Sequence, residues 1–128
     1  MTFRKAALSI GAVFLASIIL ALTGIAFRYE YVDVPLHFLG GFTWTMVAAI
    51  LIQKAGKQSG PKWFNFIFTV GFVLVIGVAW EWAEYIEVQL IDSQALTEGF
   101  TLRDMLGDFI LDSLGAIVGW YFFVKNIK

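Results

Sequence analysis

A chain of 128 residues with 59% hydrophobic residues, 15% charged residues and a net charge of −1 is more apolar than the roughly 45–50% usual in soluble domains. Together with a mean hydropathy of +0.79, this marks a membrane protein and excludes both a basic nucleic-acid surface and a disordered polar tail. With no cysteine present, disulfides, thiolate metal sites and cysteine nucleophiles are excluded, so any metal must sit on oxygen and imidazole.

Four apolar segments follow in order, approximately 6–27, 34–53, 63–90 and 104–124, and predict an all-α fold: one domain of four transmembrane helices in a bundle. Helices are the expected form because open strands and irregular backbone in lipid leave peptide groups without partners. The first run, Ala6 to Phe27, follows Arg4 and Lys5. Its length of about 22 residues exceeds the roughly 7–15 of a signal-peptide core and is enough to span. Pro35 stands in the first turn of the second segment, where its missing N–H is tolerated. Gly60 and Pro61 precede the third, after the polar linker Lys54 to Ser59, and the stretch from Ile91 to Arg103 reads as an exposed loop.

Charge predicts the orientation. With both termini cytoplasmic, four spans place Arg4, Lys5, Lys54, Lys57, Lys62, Lys125 and Lys128 inside and only Arg28 and Arg103 outside, as the positive-inside rule requires of a plasma-membrane protein. All ten acidic residues (Glu30, Asp33, Glu81, Glu84, Glu87, Asp92, Glu98, Asp104, Asp108 and Asp112) then fall toward the outer half. Tyr29, Tyr31, Trp80, Trp82 and Tyr85 on one side, and Trp63, Trp120 and Tyr121 on the other, read as interfacial anchors.

Helical spacing indicates which of these acids can meet. Asp104, Asp108 and Asp112 recur at i, i+4 and form one stripe, continued by Gly115 and Gly119, a small-xxx-small pair that lets another helix approach. The stripe is therefore expected to face the bundle interior. Glu81 and Glu84 lie about 60° apart around the third helix and can share a ligand, whereas Glu87 reads as a solvated end residue. Asp33 and His37 stack at i, i+4 on the second helix, near Gly40, Gly41 and Trp44. Thr43, Thr45 and Ser113 read as hydroxyls bonded to preceding helical carbonyls.

Several carboxylates within a bilayer, each costing about 2.5–3.5 kcal/mol at its centre, demand water, protons or a cation. Arg103 is the one basic side chain near the cluster, so internal salt bridging leaves most of the charge uncompensated. Carboxylates with one imidazole suit a divalent metal cation such as zinc, manganese, iron or magnesium. The expected ligands are Asp33, His37, Glu81, Asp108 and Asp112, with Glu84 and Asp108 as candidate catalytic acid–base groups. Protons are the rival remedy: crowded carboxyl groups can stay neutral and hydrogen-bonded to one another.

Three motifs carry a family resemblance. Asp33-Val-Pro-Leu-His37-Phe38 opens one span, Glu81 followed by Glu84 ends the next, and Asp108-Phe-Ile-Leu-Asp112-Ser-Leu-Gly115-Ala116 lies in the last. In order and spacing they resemble the small four-helix membrane proteins of the VanZ-like group and its YjdF-like relatives, with Asp112 in place of the usual Asn leaning toward the YjdF-like side. The resemblance implies a four-helix membrane fold with a polar site and supplies no reaction.

The sequence thus predicts an outward-facing Asp/Glu/His site acting on a lipid-linked or cell-envelope substrate, with membrane lipids as partners. The alternatives are a proton or cation transporter using the same carboxylates as a relay, and a non-catalytic module binding lipid or protein. The relay is weakened because no acidic residue continues past Asp112 toward the cytoplasm.

Overall fold

A computed structural model of the chain describes residues 2–25, 29–56, 60–91 and 101–127. They form four long helices, α1 (Phe3–Leu22), α2 (Asp33–Ala55), α3 (Lys62–Ile91) and α4 (Leu102–Gly119), with a 3-10 turn at Glu30–Val32 and a π turn, Trp120–Val124, prolonging α4. All four are long and apolar enough to cross a membrane. Arg28, Lys57, Asp92, Glu98 and Lys128 lie outside the described residues.

Local chemistry sets the helix ends. The Thr2 hydroxyl accepts from the Lys5 N–H at the start of α1, and the Thr23 hydroxyl donates back to the Ile19 carbonyl at 2.8 Å where the helix stops. Gly24 follows with φ of 70°, a left-handed conformation that favours glycine. Pro61 precedes α3, its carbonyl accepting from Asn65 N–H at 3.1 Å. The Thr101 hydroxyl accepts from Asp104 N–H at 3.2 Å and caps α4, so this helix begins at Leu102 rather than at Asp104, where apolar content alone would start it.

The helices alternate in direction. Ala6 near the start of α1 packs with Met46 and Ile50 near the end of α2. Ala49 and Ile52 pack with Val124 after α4, and Phe66 near the start of α3 meets Trp120 edge-on. Arg4, Lys5, Lys54, Lys62 and Lys125 therefore share one end of the bundle, and Asp33, Glu81, Glu84, Asp104, Asp108 and Asp112 lie toward the other.

The central helix is α2, which packs against each of the other three. Its tightest partner is α4. A Cβ added to Gly41 would fall on the Asp112 carbonyl oxygen, and one added to Gly115 on the Phe38 carbonyl oxygen. A Cβ on Gly119 would sit 2.8 Å from Thr45 Cβ. Glycine at these positions brings the two backbones into direct contact, which favours association through packing where lipid removes any hydrophobic drive. By contrast, Ala6 is the one buried residue of α1. Large apolar side chains such as Leu15, Leu39, Ile67, Trp82 and Ile110 face outward, an apolar surface suited to lipid.

Candidate functional site

The acidic half of the bundle converges on His37. This residue is 4% exposed, and around it lie Glu81 (3%), Asp112 (5%) and Asp108 (7%). Its Nε2 is 3.3 Å from Asp33 Oδ2, 3.8 Å from Asp108 Oδ1 and 4.0 Å from Glu81 Oε1. Its Nδ1 is 3.5 Å from Asp112 Oδ1. One imidazole from α2 thus meets carboxylates from α2, α3 and α4.

Each helix delivers its side chain for a local reason. Asp33 and His37 are one turn apart on α2, and Asp108 and Asp112 one turn apart on α4. The glycine contacts draw α4 onto α2 at this level, because Gly41 lies against the Asp112 backbone itself. On α3, Gly77 leaves space for Asp112 Oδ2, which a Cβ there would strike. Glu81, one turn further along α3, completes the cluster.

Among the described residues, two groups of ligand atoms lie close enough together for a metal ion. His37, Glu81 and Asp108, all buried, form one; Asp33, His37 and Glu84 form the other, with ligand atoms within 4.8 Å of one another in each. A tetrahedral site with bonds of about 2.1 Å separates its ligands by about 3.4 Å. The 3.8 and 4.0 Å separations at Nε2 are thus about half an ångström wider than such a site, within reach of small side-chain rotations. Buried atoms with no hydrogen-bond partner among the described residues include His37 Nε2, Glu81 Oε1 and Asp112 Oδ2. Buried polar atoms ordinarily have partners; Nε2 has the Asp33 carboxylate at 3.3 Å, while Glu81 Oε1 and Asp112 Oδ2 leave room for a further species, proton or cation.

The structure places the sequence-predicted residues at different points around His37. Asp112 falls in neither metal group. It faces the other ring nitrogen, Nδ1, at 3.5 Å, a position from which a carboxylate can orient a histidine. Asp104, expected to face inward with the stripe, is exposed in the first turn of α4. At that end of the bundle it lies about 12 Å from Asp112 along the axis, clear of the buried layer. Glu84 is half-buried and its Oε1 accepts from Trp80 Nε1 at 2.6 Å. Trp80, read from sequence as an interfacial anchor, therefore holds a site carboxylate; its i, i+4 spacing to Glu84 was the available signal. Glu87 belongs to α3, and its side chain lies outside what is described. The hydroxyls of Thr43, Thr45 and Ser113 donate to the carbonyls of Gly40, Gly41 and Phe109, at 3.1, 2.9 and 2.7 Å.

Beside this cluster is a cavity of about 320 Å³ between α1, α2 and α3, with His37 and Asp112 on its wall. Apart from these two residues and a few small polar ones, its lining is apolar.

The whole chain, residues 1–128, matches the family described as "Predicted membrane protein (DUF2238)". The protein belongs to that family and is an all-α integral membrane protein. Neither the curated proteins nor the solved structures contain a match.

Proposed function

We propose that this protein holds a divalent cation in its membrane-embedded site, with His37, Glu81 and Asp108 as the ligands. The observation that carries the reading is the buried imidazole ringed by carboxylates, with orphaned atoms on both His37 and Glu81. Even a protonated His37 supplies one positive charge against the four carboxylates of Asp33, Glu81, Asp108 and Asp112. Among the described residues no lysine or arginine pairs with the three buried ones. A divalent cation offsets the remainder and satisfies the orphaned atoms together. The donor set of oxygen and imidazole suits zinc, manganese, iron or magnesium.

In this reading Asp112 orients His37 through Nδ1, and Asp33 and Glu84 line the approach from the acidic end. The cation supplies Lewis acidity toward a phosphoryl or carbonyl oxygen, or toward water. Glu84, fixed by the Trp80 indole, is then the general base outside the ligand set. The basic residues gathered at the opposite end support an orientation with both termini in the cytoplasm and the site toward the outer leaflet of the plasma membrane. A lipid-linked or envelope substrate fits that position, and the motifs at Asp33–Phe38, Glu81 and Asp108–Ala116 support kinship with the VanZ-like and YjdF-like proteins.

A proton or cation relay is the weaker reading. Among the described residues, the buried polar side chains beyond Asp112 are Thr43, Thr45, Asn65 and Thr69, and the three threonine hydroxyls turn back to carbonyls of their own helices. The test is metal analysis of the purified protein beside Glu81→Ala and Asp112→Ala. One equivalent in the wild type, absent from Glu81→Ala and weakened in Asp112→Ala, supports the site. Metal absent throughout, with melting unchanged by chelator, removes it. Ion flux into proteoliposomes that both substitutions abolish would favour the relay.

A further inference from the structure

The cavity beside His37 is built like a ligand site, not a packing fault. Its volume of about 320 Å³ is at the lower end of the roughly 300–1,000 Å³ of small-molecule pockets, and it shares their pattern of apolar walls with a few polar groups. Both polar residues that matter, His37 and Asp112, are more than nine-tenths buried; Asp112 carries an orphaned Oδ2, and His37 joins the cavity to the carboxylates at its Nε2, which lie off the cavity wall.

Its long direction follows the helices. On α3 the lining runs from Val73 to Ala83, about 15 Å at 1.5 Å per residue. That is half of a hydrocarbon core about 30 Å thick, the depth of one leaflet. The wall facing α3 comes from Ile10, Val13 and Phe14 of α1, a helix that packs chiefly on α2 and meets α3 through the Phe14–Trp80 ring contact, centroids 5.8 Å apart. The α1–α3 side of the cavity is therefore the thinly packed one, and it borders lipid. Trp80 belongs to both regions, lining the cavity while its indole holds Glu84.

We propose that this cleft seats the hydrocarbon chain of a phosphate-bearing amphiphile that enters from the bilayer between α1 and α3, with its phosphate toward His37, the one proposed metal ligand on the cavity wall. The phosphate half rests on the cation reading above, since an anion reaches this acidic wall only through a bound metal. The chain half rests on the cavity alone.

The experiment uses the full-length protein in maltoside detergent with zinc or manganese supplied, and native mass spectrometry with dodecyl phosphate and farnesyl phosphate as probes. The wild type is expected to retain one equivalent, with the tighter of the two probes telling an acyl from an isoprenoid source. Val13→Trp and Ser17→Phe fill the cleft from α1 without touching a carboxylate. Each should weaken retention at least about tenfold while metal content and helicity stay at wild-type levels. A diazirine-bearing alkyl phosphate should label α1 and α3 of the wild type, which keeps the test open if a filled variant fails to assemble. Retention unchanged in both variants, label confined to other helices, or inorganic phosphate held as tightly as the chain-bearing probes would each overturn the cleft. Chelator should release the phosphates; dodecyltrimethylammonium held as tightly as the phosphates while metal is supplied, or phosphates retained undiminished in chelator, would overturn the phosphate assignment. A wild type without metal whose chain binding is still lost on filling would overturn the cation reading and uphold the cleft.

Discussion

Two seams of this bundle are built on opposite terms. Between α2 and α4, glycines at 41, 115 and 119 bring backbone onto backbone or onto Thr45, and the acidic cluster hangs from that contact. Between α1 and α3 lies a cavity of about 320 Å³, closed at one level by the Phe14–Trp80 ring pair. On the proposed cation reading the first seam needs rigidity, because ligand atoms must be held to within a few tenths of an ångström. On the proposed cleft the second can remain loose, because a hydrocarbon chain asks only for volume. Precision and access are therefore assigned to different helix pairs, and His37, on the helix that packs against all the others, faces both.

The largest effect should come from closing off the tight seam. Gly115→Leu drives a side chain into the Phe38 carbonyl and should destabilise the protein by about 3 kcal/mol or more, at or beyond the upper end of overpacking penalties; thermal unfolding in detergent measures it. A wild-type melting curve for that variant would mean that the backbone contact does not hold the bundle together. Next is Glu81→Ala, which removes a ligand and should weaken metal binding by more than about 100-fold, beyond what outer partners contribute. Equilibrium dialysis checks this, with Glu81→Gln showing whether the loss follows charge or shape. Asp112→Asn should weaken metal binding by about 10- to 100-fold, since it keeps the contact to Nδ1 and loses its charge. An effect as large as that of Glu81→Ala would return Asp112 to the ligand set. The smallest change is expected on the loose seam, where Phe14→Ala removes one edge-on ring pair and should cost about 1 kcal/mol. A loss comparable to Gly115→Leu would erase the contrast between the seams.

Much of this arrangement is legible residue by residue. The i, i+4 pairs Asp33–His37 and Asp108–Asp112 announce shared helix faces, and the i, i+4 pair Gly115–Gly119 announces a close helix approach, because side-chain direction repeats with the helical period. Asp104 obeys the same spacing and is nevertheless exposed, since periodicity gives the face of a residue but not how far along it the neighbouring helix reaches. Trp80 was hidden by its composition class: an aromatic near a helix end satisfies the interfacial rule whether or not its N–H has a carboxylate to hold. The cleft had no signal at all, because Ile10, Val13 and Phe14 are as apolar as the lipid-facing residues beside them.

The sequence by itself determined the helical class, the number of hydrophobic segments and the gathering of carboxylates toward one end, all of which follow from hydropathy, period and charge along the chain. Only the tertiary structure decided that Asp112 takes the ring nitrogen opposite Glu81 and Asp108, and that α1 stands off α3 around a cavity. Those outcomes depend on how closely pairs of helices distant in sequence approach each other, and that distance is set by glycine contacts and ring packing between helices.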